Sequence, residues 1–243
     1  MFKDSTCSFA GAELDAMKID GAPDYYARKN KRIFLFESKD FLIPIKAKDT
    51  FDLNIYEEEF TKKLYYKIKN NGREVNKAIL QLIEMVRRCL LRSNKFDQQY
   101  NYRNVNIYPV LITHDAQYDS PGFNHILDYW FQDELLALEE EGLFIHKVQP
   151  IVVVNIDSLI YFQKTLESHL PLATLIDKYI DHTRRLNAKA YNSVESLKAN
   201  RLNSLVSFSN FIEQYIHSRF TWGIPEILAE KLPILVPKTE LNQ

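Results

Sequence analysis

The chain has 243 residues, 46% apolar and 26% charged, with a formal net charge of −1. No run approaches the ~18–20 apolar residues of a membrane span, and no signal-peptide core opens the chain, so a cytoplasmic protein is expected. Cys7 and Cys89 are the only cysteines, which excludes a disulfide framework and a Cys-rich zinc site. With charge balanced overall, any contact to nucleic acid must come from local basic patches.

Residues 1–22 offer one structure signal, a helical turn around Ala12 to Met17. Next come Pro23-Asp24-Tyr25-Tyr26 and Ile33-Phe34-Leu35-Phe36-Glu37-Ser38-Lys39, separated by the polar Arg28-Lys29-Asn30-Lys31. This reads as a β-hairpin with an apolar second strand. Alternation puts Ile33, Leu35, Glu37 and Lys39 on one face, with Glu37 and Lys39 about 7 Å apart. A turn centred on Lys29 and Asn30 sets Ala27 opposite Arg32 and Asp24 opposite Leu35. Asp24 is then the diagonal neighbour of Glu37, and a turn longer or shorter by one residue would reverse the face. Bare carboxylates so placed repel each other and are expensive to bury. A divalent cation relieves this, and oxygen ligands favour Mg²⁺ or Mn²⁺. Lys39 adds a compact positive charge suited to an attacking water or a developing phosphorane.

The order Pro-Asp, a dozen residues, an apolar strand and then Glu-Ser-Lys resembles the PD-(D/E)XK nuclease superfamily, which includes many restriction endonucleases and repair nucleases. The resemblance implies that Asp24 and Glu37 bind the metal, helped by the Ser38 carbonyl, and that Lys39 is the catalytic lysine. It implies metal-dependent hydrolysis of phosphodiesters, in DNA before RNA, in restriction, phage defence or repair. Glu13 matches the acidic residue that the superfamily often carries on a helix before the hairpin. Two other readings stay open. One is a nuclease-like module that binds nucleic acid or a partner protein without cleaving. The other is a surface hairpin with an ordinary Glu–Lys pair.

Downstream, Tyr56 to Lys69 reads as a helix with Phe60, Leu64 and Ile68 as its stripe, stopped by Asn70-Asn71-Gly72. Glu74 to Leu91 is the clearest amphipathic helix, carrying Val75, Ala78, Ile79, Leu82, Ile83, Val86, Cys89 and Leu90 on one face. Gln81 matches the glutamine that several superfamily members place there, but Met85 stands where the exonuclease-type motif has tyrosine. Val105 to Thr113 and Val148 to Asn155 are strands ending in continuous apolar runs, as in a sheet covered on both faces. Each has a proline placed to open that run. Phe123 to Glu141 between them is helical, closed by Gly142.

From Asp157 onward the pattern is helical. Leu172, Leu175, Ile176, Tyr179, Ile180 and Leu186 mark one helix; Val194, Leu197, Leu205, Phe208, Ile212 and Tyr215 mark another. The expected architecture is α/β: a mixed central sheet flanked by helices over residues 1–156, with a helical C-terminal extension over 157–243. That extension is an appendage on the sheet, a dimer contact or a clamp on DNA. A homodimer or a place in a larger complex is compatible with this layout.

The remaining constellations narrow the chemistry. The six histidines never fall at i,i+4 spacing, and neither a Walker loop, a dinucleotide fingerprint nor a nucleophile elbow is present. His114-Asp115 lies at a strand end, either lining the site or serving an ordinary loop. Arg28, Lys29, Lys31 and Arg32 place four positive charges on the turn taken to lie beside the site, as a phosphate-tracking surface requires. Arg184, Arg185, Lys189, Lys198 and Arg201 form a second basic stretch. Tyr25, Tyr26, Tyr100 and Tyr102 are candidate stacking platforms or packing residues.

Overall fold

The computed structural model describes residues 7–19, 21–45, 49, 52–68, 74–184, 198, 201–202 and 204–219. Five strands form the central sheet: β1 (Cys7–Ala10), β2 (Tyr25–Lys29), β3 (Arg32–Lys39), β6 (Asn106–Thr113) and β7 (Val152–Asn155), in the order β1-β2-β3-β6-β7. The first two pairings are antiparallel; β3–β6 and β6–β7 are parallel. Parallel neighbours need a crossover, and the two helices that supply it are the long amphipathic ones. Helix α3 (Ala78–Leu91) lies between β3 and β6, and α4 (Phe123–Glu140) between β6 and β7. The expected mixed α/β sheet flanked by helices is what the chain forms.

Alternation along the strands creates two cores. Ile33, Leu35, Ile107, Leu111 and Val153 bury one face against α3 and α4, through Leu82, Val86, Leu127 and Phe131. Phe34, Phe36, Tyr108, Val110 and Val154 bury the other. That second face is covered by the C-terminal helices α5 (Ile156–Tyr161), α6 (Gln163–Ser168), α7 (Leu172–Arg184) and α8 (Phe208–His217), through Leu175, Tyr179, Phe208 and Ile212. The segment expected as an extension is therefore one layer of the sandwich. Without it, large aromatic residues of the sheet would face water.

Several expected boundaries move for tertiary reasons. Glu74–Asn76 (β5) is a strand, not the first turn of α3, because it pairs with β4 (Tyr66–Ile68) in a small separate sheet. Helix α2 (Leu53–Phe60) correspondingly stops short of Lys69: it widens into a π turn over Thr61–Tyr65 and then extends. Tyr65 anchors that turn, stacking on Trp130 at 5.6 Å and donating its hydroxyl to Glu134. The short N-terminal strand β1 escaped the sequence pattern altogether. The expected helical turn behind it is α1 (Gly11–Ala16).

Pro109, expected to open its strand, sits inside it opposite Leu35. Ile107 makes both its outer hydrogen bonds to the segment at Lys147 and Gln149. Two residues on, the missing N–H of Pro109 faces the same side, before the β7 ladder begins at Val110↔Val152. The signals at 69–73, and at Arg185, Leu186, Lys189, Val194 and Leu197, lie outside the described residues. Among the described residues no helix is long and apolar enough to cross a membrane.

Candidate active site

The hairpin register differs from the expected one. Asn30 takes a left-handed conformation (φ 55°) that asparagine tolerates, so the turn is centred on Asn30 and Lys31 and Lys29 pairs with Arg32. Moving the turn by one residue changes every cross-strand pair by two, which preserves the face. Tyr25 pairs with Phe36, and Asp24, just before the strand, comes level with Glu37 rather than diagonal to it.

At this end β3 and β6 run parallel with Lys39 level with Thr113, so the carboxyl ends of two buried strands open together. The Lys39 ammonium donates to the Glu37 carboxylate. Asp24 Oδ2 accepts from the Ser38 backbone N–H at 2.7 Å, across the mouth of the hairpin. The Ser38 hydroxyl meets His114 Nε2 at 2.8 Å, and alternation along the strand puts this contact on the face opposite Glu37 and Lys39. Asp24 is positioned from behind: its carbonyl accepts from Gly11 N–H at 2.7 Å. A Cβ on Gly11 would come within 3.1 Å of that carbonyl oxygen, which makes the absent side chain part of the approach.

Glu37 is 3% exposed, whereas Asp24 faces solvent. Burial pushes the Glu37 carboxyl up to about 7; Lys39 pulls it down and the Asp24 charge pushes it up. A carboxyl held there is half protonated near neutrality, and a cation beside it would favour the ionised form. The donor set is two carboxylates and nearby backbone oxygen, hard ligands that fit Mg²⁺ or Mn²⁺. Among the described residues no group of three or more His, Cys, Asp or Glu side chains gathers as a ready-made metal cage.

Other expected site residues are placed elsewhere. Arg28 is in β2, 7% exposed, and clamps Asp97 through Nε at 2.6 Å and Nη2 at 3.0 Å. Its guanidinium belongs to the core, because the longer strand draws it in from the expected turn. Lys29 and Lys31 are exposed, and Arg32 lies 3.6 Å from Asp177. All of them sit at the wrong end of the hairpin to flank the site: Arg32 is five residues from Glu37, roughly 17 Å along the strand. Tyr26 and Tyr100 are buried, hydrogen-bonded to Asp97 and to the Cys89 carbonyl, and are not stacking platforms. Glu13 accepts from Ala10 N–H at 2.7 Å and so caps its own helix. Gln81 has a buried carbonyl oxygen with no partner, and Met85 is a core residue.

The basic residues that do border the site were missed. Lys62, Lys63 and Lys77 join Lys39 in lining a cleft of about 950 Å³, with Asp40 and the acids of α2 also on its walls. Lys62 is held 3.3 Å from both Glu58 and Glu59. Along the sequence they are ordinary polar positions within two expected helices; only the π turn and the β4–β5 pairing bring them to Lys39.

No protein-family model matches the chain, and no curated protein matches it. Among solved structures, the small subunit of the heterodimeric restriction endonuclease R.BspD6I aligns with 90% of this chain and 83% of that chain, at 10% identity and a TM-score of 0.29.

Proposed function

We propose that the protein is a divalent-metal-dependent nuclease acting on DNA. The observation that carries this reading is the convergence of Asp24, a buried Glu37 and Lys39 where two parallel strands end. Asp24 and Glu37, with the Ser38 carbonyl, would hold Mg²⁺ or Mn²⁺. Once bound, that ion would polarise the phosphoryl oxygen and favour an ionised water. The protein's own share is positional. The sheet end fixes both carboxylates and keeps Glu37 out of bulk water. Lys39, on the same strand face, orients the attacking water and stabilises charge that grows on the phosphoryl oxygens. The cleft with its further lysines carries the backbone of the substrate past this point.

The direct Lys39–Glu37 ion pair favours one competing reading, a silent module in which the lysine merely neutralises a buried acid. Incubation of the protein with supercoiled, linear and single-stranded DNA separates the two. Cleavage that requires Mg²⁺ or Mn²⁺, stops with EDTA and falls at least about a hundredfold in Lys39→Ala, with affinity unchanged, is the expected result. Absence of metal-dependent cleavage on all three substrates would establish the silent module. Cleavage by Lys39→Ala at the parent rate would remove the lysine from the chemistry.

A further inference from the structure

The cleft beside Lys39 is walled by aromatic rings as well as lysines. Phe41, two residues beyond Lys39, and Tyr66, where β4 begins, both line it and are half-buried. Phe41 is held from behind. Its ring lies on that of Tyr118, with centroids 4.3 Å apart and planes 32° from parallel. The Tyr118 hydroxyl donates to the Phe41 carbonyl at 2.7 Å. Tyr118 is itself 3% exposed and packs on Phe123 at 5.4 Å. One face of Phe41 thus rests on the core, and the residue offers its remaining apolar surface to the cleft. Covering that surface with a flat apolar group removes it from water, which is favourable.

Charge in the cleft is balanced. Lys39, Lys62, Lys63 and Lys77 share its walls with Asp40, Glu57, Glu58 and Glu59. Lys62 is already held at 3.3 Å by both Glu58 and Glu59. Attraction for phosphate is therefore weak along much of the wall, and a strand bound there needs a second source of affinity. A duplex keeps its bases stacked inside and offers mainly phosphate and sugar to such a surface. Its two grooves alone are about 12 and 6 Å wide, too broad for it to sink into a space of about 950 Å³. A single strand is narrower, and its unstacked bases can lie on aromatic side chains whatever their sequence.

We infer that the cleft takes a single, unstacked strand, and that Phe41 is the platform for the base beside the phosphate held at Lys39. Tyr66 offers a second ring in the same cleft. Phe41 is a specificity residue, not a catalytic one: it selects single-stranded over double-stranded substrate. This placement rests on the nuclease reading for the phosphate at Lys39, and adds to it the form of nucleic acid that the site accepts.

The test uses the full chain with EDTA present, and fluorescence anisotropy of end-labelled probes of one length. The probes are oligothymidine, the same backbone without bases, and a duplex. Oligothymidine should bind about tenfold tighter than either of the others. Phe41→Leu keeps an apolar contact with Tyr118 but has no ring. It should bring oligothymidine down to the abasic level and leave abasic binding unchanged. Phe41→Tyr, which keeps the ring, should bind as the parent does. If Phe41 only packs against the core, the leucine and tyrosine variants will bind oligothymidine alike, and that result overturns the inference. Should Phe41→Leu fail to fold, the parent's ranking of the three probes decides: a duplex or abasic strand bound as tightly as oligothymidine overturns it equally. Cleavage with Mg²⁺ restored keeps the two claims apart. Lys39-dependent cleavage of duplex and single strand at equal rates, unmoved by Phe41→Leu, ends the stacking platform alone. Phe41-dependent binding without metal-dependent cleavage of any probe ends the nuclease reading alone.

Discussion

Arg28 and Lys39 are both basic residues of one hairpin, and burial sends them to different work. Arg28 donates twice to Asp97, which also accepts from Tyr26 at 2.7 Å and Cys7 at 3.1 Å. Burial alone would raise the Asp97 carboxyl, but the hydrogen bonds from Arg28, Tyr26 and Cys7 outweigh it and hold the group below the ordinary range. A depressed carboxyl contributes stability that is present above its unfolded value and lost as pH falls through its folded value. Asp97→Asn should therefore flatten the acid limb of stability against pH, measured by urea unfolding. Arg28→Met leaves a buried charge unpaired and should cost about 3–5 kcal/mol, with the salt dependence of DNA binding unchanged. Glu37 shows the opposite balance: burial pushes this acid upward by more than its Lys39 partner pulls it down. Mg²⁺ at about 100 times its dissociation constant should stabilise the parent by roughly 2.7 kcal/mol in thermal unfolding, and should not stabilise the Asp24→Asn, Glu37→Gln double variant.

At the scale of elements, the hairpin and the C-terminal helices set the geometry of the site. The Asn30 turn fixes the register, and with it the meeting of Asp24 with Ser38. The sheet must stay rigid for that register to hold, and one of its faces is buried by residues beyond 157. Ile212, fully buried on α8, touches the same cluster as Phe34 and Tyr108. Ile212→Ala should cost about 2–5 kcal/mol and lower the midpoint of a single cooperative transition. A separate, earlier transition for the C-terminal helices would show instead that they are an independent appendage.

For the whole molecule, net charge is nearly zero, so placement of charge decides what is attracted where. The cleft carries Lys62, Lys63 and Lys77 beside the Asp24, Glu37 and Lys39 cluster, whereas Lys29 and Lys31 are a strand length away. Replacing the three cleft lysines with alanine should weaken DNA binding. It should also reduce the slope of log affinity against log salt by about 0.7–0.9 for each phosphate no longer neutralised. Replacing Lys29 and Lys31 should change that slope less. A reversed order in a salt titration would place the DNA path along the hairpin turn.

The sequence by itself determined the apolar strands Arg32–Lys39 and Asn106–Thr113, the long helices between the parallel strands, and the Pro-Asp and Glu-Ser-Lys pair. These signals are local: periodicity and turn residues act within a few positions, and alternation alone put Glu37 and Lys39 on one face. Tertiary structure decided the rest. Asn30 chose the register through its left-handed backbone. Burial against Asp97 turned Arg28 from a surface charge into a core clamp. Pairing of Tyr66–Ile68 with Glu74–Asn76 cut two expected helices short and carried Lys62, Lys63 and Lys77 to Lys39. Such outcomes depend on partners far along the chain, whose packing and pairing outweigh the small local preferences that a sequence displays.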